Sequence, residues 1–226
     1  MKISGIQKVT LVDYPGEVAT TLFTAGCNFR CPFCHNAGLM EMSDPDINIE
    51  EILSYFDKRK GVITAVCVSG GEPTLHHDLP DFISKLKAKG LLVKLDTNGT
   101  NLPMLKHLVD NNLIDYIAMD IKNSPDRYPL TSGSNNFDNL DEVVEYIMSC
   151  GVDYEFRTTL VDQHHTHQDM ESIGQLIRGA KKYYLQKFED SGNCLSSNLQ
   201  AINHDTAQEF VAILRKYIPN TQLRGY

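Results

Sequence analysis

Three cysteines lie within eight residues of one another, Cys27, Cys31 and Cys34 in the segment CNFRCPFC. This spacing lets three thiols of one loop ligate a single metal centre, and Pro32 stiffens the turn between them. A structural zinc normally has four protein ligands and an ordinary four-iron cluster has four thiolates, so three cysteines leave one metal corner open. Because the amine and carboxylate of a substrate can chelate an open iron, the loop predicts a catalytic iron–sulfur cluster.

One alternative assigns a fourth ligand to the residue that directly follows the last cysteine. His35 would then complete a structural zinc site, and the chain would be a non-catalytic zinc or iron–sulfur binding protein. Zinc motifs usually come as two separated pairs of ligands, whereas these cysteines form one group. The spacing therefore favours the catalytic cluster.

The length and composition are those of a globular protein with one sizeable core. The chain has 226 residues, of which 42% are hydrophobic and 22% charged. Its N-terminus lacks the apolar segment and cleavage site of a secretory signal, so we expect a cytoplasmic location in which thiols stay reduced. No stretch approaches the roughly 20 consecutive apolar residues of a membrane-spanning helix, so no membrane association is expected. The net charge of −8, without a long basic run, disfavours nucleic acid as a partner.

Apolar, β-rich runs alternate strictly with amphipathic segments along the chain. The strands are predicted at residues 19–24, 62–68, 91–96, 114–119, 153–160 and 182–188. The helices are predicted at residues 49–59, 79–89, 104–111, 138–150, 169–179 and 205–217. Such alternation implies parallel strands in right-handed βαβ units. We therefore predict an α/β fold, an open, partial (β/α)6 TIM-like barrel forming a single domain, with residues 1–17 as an N-terminal extension. A doubly wound sheet is the alternative.

Polar motifs follow four successive strands of this prediction. The cysteine loop, residues 25–36, comes after the first strand, and SGGEPT, DTNGT and MDIK come at the ends of the next three. Function in such folds gathers at the carboxyl ends of the strands. Since core packing does not explain polar residues at four strand ends in succession, we expect these motifs to contribute to one site.

The order of these motifs resembles that of the radical S-adenosylmethionine (SAM) superfamily. The resemblance is carried by CxxxCxxC, followed by GGEP, DTNG and DIK. The run ISGIQKVTLVDYPGEVATTLFTAGCNFRCPFCHN is also similar to the glycyl-radical-enzyme activases, particularly the anaerobic ribonucleotide reductase activating proteins and, more distantly, pyruvate formate-lyase activase. The similarity covers most of the chain and weakens after about Arg157. It implies that Cys27, Cys31 and Cys34 hold a [4Fe–4S] cluster that cleaves SAM.

The resemblance also implies which residues contact the cosubstrate. Phe33 takes the position whose aromatic ring lies against the adenine; as an alternative, it is a loop residue packed on the barrel rim. The motif that binds the methionine amino group corresponds to Gly70, Gly71, Glu72 and Pro73. Its chemistry is suitable, because glycines permit close backbone approach and a carbonyl and a carboxylate can accept from an ammonium. Taken alone, the two glycines would indicate only a turn.

Two further carboxylates lie at the ends of predicted strands. Asp96 is followed by Thr97 and Asn98 in DTNGT, and Asp120 lies in MDIK. They resemble an activase pair that lies near the cosubstrate and, in one relative, encloses a monovalent cation. A cation near Asp96 and Asp120 is therefore a further expectation. Under the alternative interpretation, Asp96 and Thr97 only cap the following helix.

Two cations are candidates for neutralising the methionine carboxylate, Lys122 and Arg157. Either would otherwise form a surface ion pair, which stabilises little. Arg157 lies inside a β-like run, where burial would require a partner.

The implied reaction begins with an electron from flavodoxin or ferredoxin and gives methionine and a 5′-deoxyadenosyl radical. That radical takes a hydrogen atom from a glycine of a partner enzyme such as anaerobic ribonucleotide reductase. A radical SAM enzyme acting on a small molecule or a peptide is the alternative within the superfamily. No cysteine lies between Cys34 and Cys67, which implies a single cluster.

The remaining histidines and cysteines have no spacing that indicates a site. His164, His165 and His167 are interpreted as surface histidines, with a weak metal site as the alternative. The isolated cysteines are interpreted as buried structural residues; they are Cys67, Cys150 and Cys194.

Overall fold

Strands and helices alternate through most of the chain. The structure, a computed structural model, describes residues 1–41, 47–135, 137, 139–190 and 192–226. Two compact units are present: unit 1 comprises Met1–Asn28 and Gly38–Ala118, and unit 2 comprises Phe29–Ala37 and Met119–Tyr226. The segment with Cys31 and Cys34 thus groups with the second half of the chain. That the chain is a single domain stays a prediction.

The described residues of unit 1 form four complete strands and three α-helices. The strands are β1 (Ile3–Thr10), β2 (Ala19–Thr24), β3 (Ala65–Gly70) and β4 (Leu92–Thr97). The helices are α1 (Ile49–Lys58), α2 (Leu79–Ala88) and α3 (Leu102–Asp110). Strand β5 (Tyr116–Asp120) begins in unit 1, and its last two residues belong to unit 2.

Unit 2, in the residues that the structure describes, contains three further strands and four α-helices. The strands are β6 (Asp153–Leu160), β7 (Tyr183–Lys187) and β8 (Thr221–Arg224). The helices are α4 (Tyr128–Ser132), α5 (Leu140–Ser149), α6 (His167–Leu176) and α7 (His204–Leu214). All six predicted strands are therefore present, with boundaries shifted by at most three residues. The predicted start of the fourth helix at Asp138 lies outside the described residues.

The strand pairing within each unit is mostly parallel. In unit 1, β2 pairs with β3 and β3 with β4 in parallel. In unit 2, β6 pairs with β7 and β7 with β8, again in parallel. Parallel strands joined by helices are what the alternating pattern predicts. Strands β2, β3 and β4 are buried on both faces through most of their length, as their apolar sequences require, and Val66, Val68 and Leu95 are fully buried.

Two strands were missed by the sequence analysis. Residues 1–17 were predicted as an extension, but β1 pairs antiparallel with β2 in the register Ile6↔Leu22, and register shifts interrupt the ladder. Strand β8 has only four residues, too few for a periodic signal. It pairs with β7, and Arg224 forms an ion pair with the buried Glu155 at 3.0 Å.

Helix ends are determined by capping residues that the apolar pattern does not indicate. Helix α1 begins after Asn48, whose side chain accepts from the Glu50 N–H at 2.7 Å. Helix α6 begins two residues before its predicted start because Thr166 and Asp169 form a capping box. None of the helices in the described part of the chain is both long and apolar enough to cross a membrane.

Gly174 in α6 provides a test of packing in unit 2. A Cβ at this position would lie 2.5 Å from a ring carbon of Tyr217, whose hydroxyl donates to Glu171 at 2.6 Å. We expect Gly174→Ala to lower the free energy of unfolding by about 1–3 kcal/mol, because the clash outweighs the helix propensity gained. Denaturant unfolding measures the change. In a Tyr217→Ala background the same substitution should stabilise instead; equal losses in both backgrounds would contradict the packing argument.

Candidate functional site

The two glycines after β3 lie against the backbone that leads into the cysteine loop. Gly70 has φ of +117°, and a Cβ there would lie 2.2 Å from the Thr24 nitrogen. A Cβ on Gly71 would lie 2.0 Å from the carbonyl oxygen of Gly26, the residue before Cys27. The Gly71 N–H also donates to the Thr24 carbonyl at 2.9 Å. The sequence predicted that these glycines permit close backbone approach. In the structure, the backbone that they approach is that of Thr24 and Gly26 in the same chain.

Glu72 is fully buried and accepts four hydrogen bonds. The Thr74 N–H and hydroxyl donate to Oε1 at 3.1 and 2.5 Å, and the Thr97 hydroxyl donates to the same oxygen at 2.7 Å. The Asn98 N–H donates to Oε2 at 2.7 Å. Burial raises the pKa of Glu72, and these hydrogen bonds oppose the rise. Glu72 thereby joins the GGEP loop to the DTNG loop.

Asn98 extends this network to the residue after Cys27. Its side-chain N–H donates to Asn28 Oδ1 at 2.8 Å, and Asn28 in turn donates to the Thr100 hydroxyl at 2.9 Å. The Cys27 N–H donates to the Met40 carbonyl at 3.1 Å. Thr97 and Asn98, which the resemblance assigns to the cosubstrate, thus also fix the loops of unit 1.

Asp96 is paired with a lysine that the sequence analysis overlooked. Lys94 Nζ lies 2.5 Å from Asp96 Oδ1, and the Ser69 hydroxyl donates to Oδ2 at 3.2 Å. The Lys94 side chain is only 3% exposed and that of Asp96 15%. A lysine inside the apolar run LLVKLD was the available signal, because a buried ammonium requires a partner.

The alternative role of Asp96 and Thr97 as a helix cap is wrong. Helix α3 begins after Asn101, whose side-chain oxygen accepts from the Met104 N–H at 3.2 Å. The two strand-end residues therefore serve the loop, and a separate residue caps the helix.

In unit 2, Cys31 and Cys34 lie in a turn that a second close approach supports. The Cys34 N–H donates to the Cys31 carbonyl at 3.1 Å, and the Arg30 N–H donates to the Ser132 carbonyl at 2.8 Å. Gly133 has φ of +64°, and a Cβ there would lie 2.4 Å from the Arg30 carbonyl oxygen. Burial raises the pKa of the Cys34 thiol, an effect that the Asn36 N–H and the Lys122 ammonium oppose.

Phe33, between these cysteines, is buried, and its ring is 6.0 and 6.5 Å from those of His164 and His165. Both histidines are buried, so their interpretation as surface residues is wrong; His167 is exposed and pairs with Glu209. His165 Nδ1 accepts from the Val161 N–H at 3.1 Å and Nε2 lies 3.0 Å from the Lys122 carbonyl. Burial lowers its pKa to about 4.

Asp120, at the end of β5, is paired with both predicted carboxylate-binding cations. Lys122 Nζ lies 2.9 Å from Oδ2, and Arg157 Nε lies 2.9 Å from Oδ1. Burial alone would lower the pKa of Lys122, but the charges of Asp120 and Cys31 outweigh it and the pKa is raised. One carboxylate and two cations leave this trio with a net charge of +1. Arg157 is largely buried and partnered, as its position in a strand requires, and is not a surface ion pair.

The other cysteines and His35 have mixed environments. Cys67 is fully buried as predicted, but Cys150 and Cys194 are partly exposed. No disulfide joins any of the six cysteines, all of which lie in described segments. The His35 ring is 5.7 Å from that of Phe188, the residue that follows β7.

The cysteine loop has the donors that an iron–sulfur cluster requires. Thiolates are the usual ligands of such clusters, and in a cubane each one binds a separate iron atom. In the described ranges, no three His, Cys, Asp or Glu side chains converge closely enough to hold a single metal ion. The loop backbone is nevertheless fixed within each unit, at Cys27 in unit 1 and between Cys31 and Cys34 in unit 2. Three thiols on a supported loop fit the cluster.

Comparison with known proteins adds an independent result. Residues 21–177 match the Radical SAM superfamily. A protein of Methanocaldococcus jannaschii, named as a glycyl-radical enzyme activating enzyme, is 32% identical over 98% of this chain and 95% of its own. The pyruvate formate-lyase-activating enzyme of Clostridium pasteurianum is 28% identical over 84% of this chain and 83% of its own. The chain therefore belongs to the Radical SAM superfamily and, within it, to the branch of glycyl-radical-enzyme activating enzymes.

The fold is also shared with a solved structure. SuiB of Streptococcus suis, bound to the precursor peptide SuiA, has a TM-score of 0.73 and 12% identity, with coverage of 91% of this chain and 48% of that chain. This likeness confirms the predicted α/β fold class. The family and the enzyme class expected from the sequence are likewise confirmed by the superfamily match. Membership of this superfamily implies a [4Fe–4S] cluster and SAM as cofactors.

Gly71 tests the support of the cysteine loop. We expect Gly71→Ala to lower the free energy of unfolding of the cluster-free protein by about 3 kcal/mol, because its Cβ would meet the Gly26 carbonyl oxygen. Gly38→Ala is the control, since no atom lies within 4 Å of a Cβ there, and it should change stability by less than about 0.5 kcal/mol. Urea unfolding measures both. Similar values for the two variants would contradict the close approach.

His164 and His165 form a matched pair for a second test. Both ring nitrogens of His164 are buried without a hydrogen-bond partner among the described residues. His164→Phe should therefore raise the free energy of unfolding of the cluster-free protein by about 1 kcal/mol. His165→Phe should lower it by about 2 kcal/mol, because two backbone groups lose their partner. Denaturant unfolding at pH 7.5 compares them, and losses of equal size would show that His164 also makes a hydrogen bond.

Proposed function

We propose that the chain binds a [4Fe–4S] cluster through Cys27, Cys31 and Cys34 and cleaves SAM to generate a glycyl radical on a partner enzyme. The observation that carries the proposal is a loop of three closely spaced thiols, with no fourth cysteine nearby, in a chain of the Radical SAM superfamily. Three thiolates leave one iron available to a substrate. When bound, the cluster supplies the electron that breaks the bond between the sulfonium sulfur and C5′.

The trio of Asp120, Lys122 and Arg157 binds the carboxylate of the methionine moiety in this proposal. Its net charge of +1 attracts an anion, and ammonium and guanidinium groups both make charge-assisted hydrogen bonds to carboxylates. Asp120 holds the two cations in position before the cosubstrate arrives, which reduces the ordering that binding requires.

The GGEP loop binds the methionine ammonium in this proposal. Four hydrogen bonds to Glu72 fix the loop, and a loop carbonyl group and the Glu72 carboxylate accept from the ammonium. Phe33 lies against the adenine, on the loop that also provides the cysteines. These residues orient the cosubstrate, and orientation is the protein's main contribution to a reaction in which the cofactor supplies the chemistry.

The partner in this proposal is a glycyl-radical enzyme such as anaerobic ribonucleotide reductase, with flavodoxin or ferredoxin as electron donor in the cytoplasm. Support comes from the names of the two relatives, both activating enzymes. SuiB binds a precursor peptide, so the shared fold admits a polypeptide in that protein. The proposal includes no monovalent cation, because Asp96 and Asp120 are each paired with cations of this chain.

An anaerobic experiment tests the cluster and the cleavage. The reconstituted protein should contain iron and sulfide in equal amounts and form 5′-deoxyadenosine from SAM and a reductant. Cys34→Ser should lose cluster and product almost completely, whereas Cys150→Ser, a cysteine outside the loop, should retain both. A zinc content without iron or sulfide would refute the proposal and favour the non-catalytic alternative.

The partner is tested in the same mixture. Each candidate glycyl-radical enzyme is added, and a glycyl EPR doublet is sought. A doublet in anaerobic ribonucleotide reductase is the expected result. Deoxyadenosine without a doublet in any candidate would overturn the activase assignment and favour a small-molecule or peptide substrate.

A further inference from the structure

Each carboxylate that the resemblance associates with a monovalent cation already has cationic partners within this chain. In unit 1, Lys94 Nζ lies 2.5 Å from Asp96 Oδ1. In unit 2, Asp120 is held by Lys122 and Arg157, each at 2.9 Å. A bound cation at either carboxylate would stand beside a positive charge of the protein, and two like charges in a partly buried site repel strongly. The residues therefore do not fit the expected cation.

Lys94 cannot readily leave Asp96 to make room for one. Its neighbours in β4, Val93 and Leu95, are fully buried, and its own side chain is 3% exposed. The ammonium is also 3.7 Å from the sulfur of Cys67 on β3, opposite which Lys94 is registered. A charge in such surroundings is tolerated only with a partner, so the Lys94 ammonium has to stay paired with Asp96 in the folded protein.

The second oxygen of Asp96 is also engaged. The Ser69 hydroxyl donates to Oδ2 at 3.2 Å, while the ammonium binds Oδ1. Two donors on two oxygens hold the carboxylate at the end of β4, directly before Thr97 and Asn98, which bind Glu72. The position of the DTNG loop thus depends on a charge that the chain supplies itself.

We propose that the Lys94 ammonium is a built-in counter-ion that replaces a monovalent cation and positions Asp96. SAM binding by this protein is then independent of Na⁺ and K⁺. This inference rests on the proposed function where it concerns SAM. Lys94 is a positioning residue, because it acts through Asp96 and the loop that follows.

The first test uses the protein without cluster or cosubstrate. The melting temperature of the wild type should be the same in sodium, potassium and tetramethylammonium chloride at equal ionic strength. Lys94→Met should lower it by about 10 °C in tetramethylammonium chloride, because Asp96 is left without its counter-ion. Sodium or potassium should restore part of that loss. Specific stabilisation of the wild type by either ion would overturn the proposal.

Lys87→Met is the matched control. Lys87 forms an ion pair with Asp115 at 2.7 Å in unit 1, away from the strand-end loops. Its loss should lower the melting temperature without any difference between the cations. If Lys94→Met does not fold, the melting temperatures of the wild type in the three salts still test the proposal. The double variant, in which Lys94→Met is combined with Asp96→Asn, tests it as well. This double variant has no unpaired charge and should fold without a response to sodium or potassium; a specific response to either ion would count against the proposal.

The second test measures SAM affinity of the reconstituted protein by anaerobic equilibrium dialysis. Exchange of sodium or potassium for tetramethylammonium should change the dissociation constant of the wild type less than twofold. For Lys94→Met it should rise about tenfold or more and recover on addition of sodium or potassium. An unchanged dissociation constant in Lys94→Met would overturn the positioning role. If the wild type binds SAM in none of the buffers, the proposed function is refuted instead. The melting temperatures would then still test whether Lys94 replaces a monovalent cation.

Discussion

A carboxylate buried without water must be surrounded by donors, and in unit 1 this constraint determines how the loops meet. Glu72 accepts from Thr74, Thr97 and Asn98, so one side chain joins the loop after β3 to the loop after β4. Asn98 then contacts Asn28, next to Cys27. If Glu72 lost these donors, burial would favour its protonation and the loops would lose their common anchor.

In both units the carboxylates at the strand ends are paired with cations of the chain. Asp96 has Lys94 as its partner, and Asp120 has Lys122 and Arg157. The two arrangements differ in one respect that matters for function: the first pair is neutral, whereas the trio has a net positive charge. In the proposed function the trio binds an anionic group, and the neutral pair serves to hold its loop.

Backbone contacts that require glycine complete the support of the cysteine loop. In unit 1, Gly71 meets the carbonyl of Gly26, and in unit 2, Gly133 meets that of Arg30. In both cases a Cβ would lie too close to the carbonyl oxygen, so the loop can take this position only if the residue that it contacts is glycine. Each contact supports the part of the loop that belongs to its own unit.

The sequence by itself determined the alternation of strands and helices, the family and the cysteine loop, because periodicity and motif order are local properties. Tertiary structure alone decided which polar residues become partners. Glu72 accepts hydrogen bonds from Thr97 and Asn98, Lys94 in an apolar run pairs with Asp96, and His164 and His165 are buried. Strand β8 depends on its neighbour β7 and on the pair of Arg224 with Glu155. Hydrogen bonds and ion pairs between residues distant in sequence arise only when strands are side by side, and no spacing along the chain encodes them.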